Sequence, residues 1–201
     1  HFNRILHNLC TDIWTYISLG YFKQIPQPGA TGSSTMPHKV NPIRFENAES
    51  NLELSCAILD SLASTLVTSR MQRDLTDSSA QRNIGLGLGH SLLALDNVTR
   101  GLGEIELSVG VLEADLLDNW EVLGEAIQTV IRAEVAAGRS KIADPYVLLK
   151  ELTRGKRIGH EELIEFVNSL DISDEAKARL IALRPTNYTG LAAELAQRFG
   201  D

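Results

Sequence analysis

The run Leu88-Gly89-His90-Ser91-Leu92-Leu93-Ala94-Leu95-Asp96-Asn97-Val98-Thr99-Arg100-Gly101-Leu102 decides the fold. Leu88, Leu92, Leu95, Val98 and Leu102, with Ile105 beyond, recur at steps of four, three, three, four and three. Residues three and four apart share one face of an α-helix, whereas a half-buried strand alternates every second residue. The spacing predicts one helix from Leu75 to about Leu107, with an apolar stripe suited to a helix bundle. Asp77 or Ser78 is placed to cap its start. Gly85, Gly87 and Gly89 resemble part of a dinucleotide fingerprint, but no strand precedes them, and close helix packing accounts for them better.

The same periodicity extends in both directions. Upstream, Ile5, Leu6, Leu9, Ile13, Trp14 and Ile17 mark an amphipathic segment over 2–22, and Leu52, Leu59, Leu62 and Leu66 mark another over 45–66. Downstream, Trp120, Leu123, Ile127, Val130 and Ile131 carry a helix over 119–137 that Gly138 stops. Shorter helices are expected over 145–152, 161–170, 174–183 and 191–199, introduced by Asp144 before Pro145, by His160 and by Ser173. No strand pattern of useful length emerges. The expected class is all-α: residues 1–112 as part of a long-helix bundle, and 113–201 as a small helical domain, with the boundary near 108–118. Because the chain opens on His1 inside an amphipathic pattern, it reads as a fragment of something longer.

Composition narrows the partners. A 43% hydrophobic content supports a packed core, and 19 basic against 26 acidic side chains give a charge of -7, which argues against an extended nucleic-acid surface. No apolar run approaches the ~20 residues of a membrane span. Cys10 and Cys56 lack metal-ligand spacing and read as buried, reduced thiols, as expected of a cytoplasmic protein. His1, His7, His90 and His160 have no ligand spacing with one another or with the cysteines, so no metal is implied.

The chemistry lies further upstream, in Gly32-Ser33-Ser34-Thr35-Met36-Pro37-His38-Lys39-Val40-Asn41-Pro42. Two prolines exclude a regular helix or strand, and Gly29 and Gly32 accept dihedrals other residues avoid. The segment reads as a polar loop over 29–42 with hydroxyls, a lysine and an amide able to hold an anion. A second group, Arg73, Ser78 and Arg82, offers the bidentate donors that phosphate or carboxylate prefers. Ser78 and Arg82 stand four apart, one above the other on a helix. Surface arginines paired with Asp74 and Asp77 are the plainer alternative.

The run Ser33–Pro42 resembles the signature loop of the fumarase/aspartase superfamily. With Ser69–Ser79, Glu151–Arg157 and Pro185–Gly190, it is most similar to the adenylosuccinate lyase family in its bacterial form, over nearly the whole chain. The resemblance implies a carbon–nitrogen lyase that releases fumarate from adenylosuccinate, giving AMP, and from SAICAR, giving AICAR. It implies no cofactor and a homotetramer whose active sites are shared between subunits. By resemblance Ser33 is the catalytic base, while Ser34, Lys39 and Asn41 contact substrate oxygens. Spacing alone leaves Ser33 and Ser34 equivalent. A serine is a poor base unless amides and a cation hold its alkoxide, which Lys39 is placed to do.

Glu46 matches a glutamate that orients a catalytic histidine, and Asn47 a position that contacts nucleotide. Arg73, Ser78 and Arg82 match the substrate phosphate site. The family's general acid is a histidine that none of the five here matches. The isolated fragment is therefore expected to be inactive. Two rival readings are another fumarate-releasing lyase and a non-catalytic helical oligomerisation module.

Overall fold

A computed structural model describes residues 1–25, 41–153 and 158–199. It divides into two compact units, His1–Val109 and Gly110–Asp201. Among the described residues the fold is all-α apart from one short antiparallel ribbon.

The first unit is built on three long helices, α1 (Phe2–Ser18), α2 (Ile43–Leu66) and α4 (Ile84–Leu102). A six-residue helix, α3 (Thr76–Gln81), precedes α4. Strands β1 (Phe22–Gln24) and β2 (Ile105–Leu107) pair with Phe22 opposite Leu107. Leu6, Cys10 and Ile13 of α1 meet Phe45, Ala48 and Leu52 of α2 and Ala94 and Val98 of α4 in one core. Gly20, at φ 78°, ends the first helix by taking the left-handed conformation that glycine alone adopts without strain.

The single helix expected over 75–107 is broken twice. The chain leaves helix between Gln81 and Ile84, and beyond Leu102 it turns into β2. The cap also differs: Leu75 holds the N-cap position of α3 and makes no side-chain cap. Asp74 instead accepts from the Thr76 amide at 2.9 Å.

The apolar stripe of α4 has an unexpected role. Leu88, Leu92, Leu95 and Leu102 are exposed, Leu92 at 67%, and only Val98 is in the core. The face turned to α2 carries Gly87, Ala94 and Gly101, small residues seven apart. A Cβ on Gly101 would lie 2.8 Å from Phe45 Cζ, and one on Gly87 would lie 3.0 Å from Leu59 Cδ2. Helix separation follows the side chains at the contact, so small residues let α2 and α4 approach closely. The leucines are left on the outside.

In the second unit α5 (Val109–Leu117) is a helix where the sequence suggests only a boundary. None of its residues is buried, so it carries no burial-imposed period to read. A 3-10 turn over Trp120–Leu123 runs into α6 (Gly124–Ala136), followed by α7 (Pro145–Thr153), α8 (His160–Ser169), α9 (Asp174–Ala182) and α10 (Ala192–Arg198). Trp120, Leu123, Ile127 and Ile131 pack with Leu149, Ile158, Leu163, Val167 and Leu180.

Several expected helix signals act as such. Asp144 accepts from the Tyr146 amide at 2.9 Å, and Ser173 from the Ala176 amide at 3.3 Å. Gly138, at φ 71°, ends α6. For α8 the cap is Gly159, one residue before His160, and Glu162 reaches back to its amide at 2.9 Å.

A buried carboxylate ties this unit together. Glu134 accepts from Arg139 Nη2 at 2.7 Å and Nε at 3.1 Å, and from the Ser173 amide at 3.0 Å. Hydrogen bonds from Arg139 and then Ser173 hold its pKa down at about 2.

Candidate active site

Ser33, Ser34, Lys39 and most of the loop over 29–42 lie outside the described residues, as does Gly155-Lys156. What the structure does describe is the helix that follows and the groups around it. Asn41 is exposed, and its carbonyl accepts from the Ile43 amide at 2.8 Å. Pro42 is the N-cap of α2, and Glu46 and Asn47 lie in the first turns of that helix.

Glu46 ends a ladder of polar pairs along the facing edges of α1 and α2. Arg4 pairs with Asp60, His7 Nε2 with Glu53 at 3.3 Å, and Thr11 Oγ1 with Glu49 at 2.7 Å. Trp14 Nε1 donates to Glu46 Oε1 at 3.2 Å. The donors step by three, four and three residues, so all four stand on one side of α1. The indole fixes one oxygen of Glu46, and its second oxygen accepts nothing among the described residues.

Asn47 is also held. Its side-chain oxygen accepts from Asn51 Nδ2 at 3.1 Å and from Asn97 Nδ2 at 3.0 Å. Asn51 donates as well to the Asn47 carbonyl at 2.8 Å, and Asn97 to the Leu93 carbonyl at 3.0 Å. Behind them His90 Nδ1 lies 2.8 Å from Asn51 Oδ1. Asn51 and Asn97 are buried, whereas Asn47 reaches the surface. The helix positions of these residues are legible in the sequence, but a pairing across fifty residues is not.

The arginine group divides. Asp74 pairs with Arg70 at 2.9 Å, and Asp77 accepts from the Ser78 amide. The Thr76 side chain and amide, and then Arg70, hold the Asp74 carboxyl below its ordinary pKa. The two carboxylates that would neutralise Arg73 and Arg82 are thus engaged elsewhere. Both arginines are exposed, and neither has an ion-pair partner among the described residues. Ser78 Oγ donates its one hydrogen to the Leu75 carbonyl at 3.0 Å. No hydrogen bond joins Arg73, Ser78 and Arg82 to one another among the described residues. The two guanidinium groups are thus open donors among the described residues, whereas the Ser78 hydroxyl is tied to its own backbone.

The thiols fall on the same helices. Cys10 is fully buried, and burial, then the nearby charge of Glu49, pushes its pKa up to about 11. Cys56 is only half-buried, and both thiols are free. Among the described residues no helix is long and apolar enough to cross a membrane.

Residues 1–56 match a family model described as "Lyase", the class of enzyme to which this helical framework corresponds. Residues 69–189 match the model described as "Adenylosuccinate lyase C-terminal", and the chain belongs to that family. It is 51% identical to the adenylosuccinate lyase of Legionella pneumophila (strain Corby) over 197 residues, covering 98% of this chain and 42% of the relative. The Escherichia coli (strain K12) enzyme is 51% identical over 191 residues, covering 95% and 41%. The Dictyostelium discoideum enzyme is 46% identical over 192 residues, covering 94% and 40%.

The chain thus spans about two-fifths of the length of the curated relatives it matches. Among solved structures it is similar to the 3-carboxy-cis,cis-muconate lactonizing enzyme from Pseudomonas putida. The TM-score is 0.63 at 22% identity, covering 96% of this chain and 43% of that one. At that identity the likeness concerns the fold alone.

Proposed function

We propose that the whole protein is an adenylosuccinate lyase. It would cleave adenylosuccinate to AMP and fumarate, and SAICAR to AICAR and fumarate, as a cytoplasmic homotetramer with shared active sites. The observation that carries this reading is half-identity to adenylosuccinate lyases along nearly the full chain. In this scheme Ser33 takes the proton from the carbon next to a succinyl carboxylate. The electron pair left on that carbon forms the fumarate double bond, and the carbon–nitrogen bond breaks as an acid protonates the departing nitrogen.

The carbon acid is weak, so holding the dianionic intermediate is the larger task. Ser34, Lys39 and Asn41 are assigned to it, while Glu46 orients the histidine that acts as acid. Asn47 contacts the nucleotide, and Arg73, Ser78 and Arg82 take the phosphate. Two features support these roles: among the described residues Arg73 and Arg82 have no ion-pair partner, and one oxygen of Glu46 accepts nothing.

The test is Ser33→Ala in the full-length protein, with fumarate release from adenylosuccinate followed by absorbance. Loss of a general base lowers turnover by roughly 10²–10⁴-fold. Turnover equal to the unaltered enzyme removes Ser33 from the mechanism. If Ser34→Ala shows the loss instead, the base is its neighbour.

A further inference from the structure

The bonds behind Asn47 fix which way its carboxamide faces. Two main-chain carbonyls set the polarity, because a carbonyl only accepts. Asn51 places its amide nitrogen on the Asn47 carbonyl at 2.8 Å, and Asn97 places its own on the Leu93 carbonyl at 3.0 Å. Each nitrogen uses its second hydrogen on the side chain of Asn47, so the atom it meets there must be the oxygen. The same logic makes His90 Nδ1 a donor, since the atom of Asn51 that faces it is the acceptor Oδ1. Asn47 Oδ1 receives two bonds, which fill both of its lone pairs. Its NH₂ accepts nothing and, among the described residues, donates to nothing.

We infer that Asn51, Asn97 and His90 are positioning residues that present Asn47 as a donor only. The ligand group it meets is therefore a hydrogen-bond acceptor, such as a phosphate oxygen or an unprotonated nucleoside atom. This deepens the assignment of Asn47 to nucleotide contact and rests on it. Asn51 and Asn97 are buried, and buried polar groups with complete partners rigidify what they hold. A free asparagine turns over at little cost and offers either end. This one cannot turn without leaving two buried donors facing an NH₂.

Aspartate substitutions reverse one polarity at a time. Asn47→Asp keeps the inward acceptor but replaces the outward donor with an oxygen. In Asn97→Asp a carboxylate replaces one of the two donors that face Asn47 Oδ1, so its repulsion drives the carboxamide to turn against the one remaining bond from Asn51 and to show its oxygen outward. The full-length protein and these variants are titrated calorimetrically with AMP, with thermal midpoints and turnover measured in parallel. Both single variants are expected to weaken AMP binding about tenfold or more and raise KM alike, and in Asn97→Asp the change falls on KM rather than on kcat.

Normal AMP affinity in Asn47→Asp sinks the nucleotide assignment itself. Weak binding in Asn47→Asp with normal binding in Asn97→Asp leaves that assignment standing and overturns the relay. A fall in thermal midpoint with unchanged affinity assigns Asn97 a purely structural role and also overturns it. If Asn97→Asp does not fold, Asn97→Ala removes the donor without adding charge, and a loss of about threefold is expected. Adenosine in place of AMP separates the acceptors. Asn47→Asp weakens adenosine equally when the partner is on the nucleoside, and not at all when it is the phosphate.

Discussion

The two units have similar helix content and opposite relations to their own apolar surface. In the second, Trp120, Leu123, Ile127, Ile131, Leu163, Val167 and Leu180 close on one another, and the buried Glu134 has all its partners within the unit. In the first, the core rests on small residues and a few large ones, while Leu88, Leu92, Leu95 and Leu102 stay exposed on α4. A unit that buries its large side chains within itself is stabilised from inside. One that leaves a leucine stripe outside is suited to pack against something else. The contrast is between the cores: the second unit also leaves Leu117, Leu191 and Phe199 exposed, but its largest helix, α6, buries its apolar period, whereas α4 does not.

The sharpest way to break this comparison is in the closed core. Ile131 is fully buried, and Ile131→Ala should cost about 2–5 kcal/mol by chemical denaturation. A much smaller loss would mean the second unit is not held by that cluster. Next comes the small-residue face of the first unit. Gly101→Ala puts a methyl 2.8 Å from Phe45 Cζ, and overpacking of this kind costs about 1–3 kcal/mol. No change in the denaturation midpoint would show that α2 and α4 have slack between them.

Acid titration sharpens the comparison further. Glu134 has a folded pKa lowered from 4.5 to about 2, so the unfolded state binds its proton first as pH falls. The stabilisation is complete above about 4.5 and is lost as pH falls toward about 2. Glu134→Gln should therefore flatten the acid limb of the stability curve in that window and lower stability at neutral pH. An unchanged acid limb removes the carboxylate from the account. The smallest effect on the chain itself is expected at Leu92, exposed at 67%. Leu92→Gln should shift its folding stability by no more than about 0.5 kcal/mol. In the homotetramer proposed for the full-length protein, the same change should weaken assembly, as read by sedimentation. Intact assembly would mean that the exposed stripe is not where subunits meet.

The closed unit was also the more legible one. Ser173, Asp144 and Gly138 act locally, within a turn of their own positions, so the sequence alone discloses them. The period of Leu123, Ile127 and Ile131 matches their burial for the same reason. On α4 the period was right and its meaning was not. The largest side chains look like the packed face, yet helix approach was set by Gly87, Ala94 and Gly101, residues that hydrophobicity ranks low. The ribbon was unreadable because three residues per strand give alternation no room. Within the candidate site, the residues are proposed from the resemblance, and Ser33, Ser34 and Lys39 lie outside the described residues. The partners that orient the described ones, Trp14 for Glu46 and Asn97 for Asn47, come from helices 32 and 50 residues away and leave no local trace.

Glu104 has a consequence for how this chain tolerates change. Its carbonyl takes the Ile25 amide at 2.8 Å, and its carboxylate takes the Arg44 guanidinium at 3.3 Å. The flanks of residues 26–40 are therefore moored at one residue, and the ribbon and helices already bear the entropy of joining them. Removing the Glu104 side chain, as in Glu104→Ala, should therefore loosen the start of α2 while leaving the main-chain tie at the end of β1 in place.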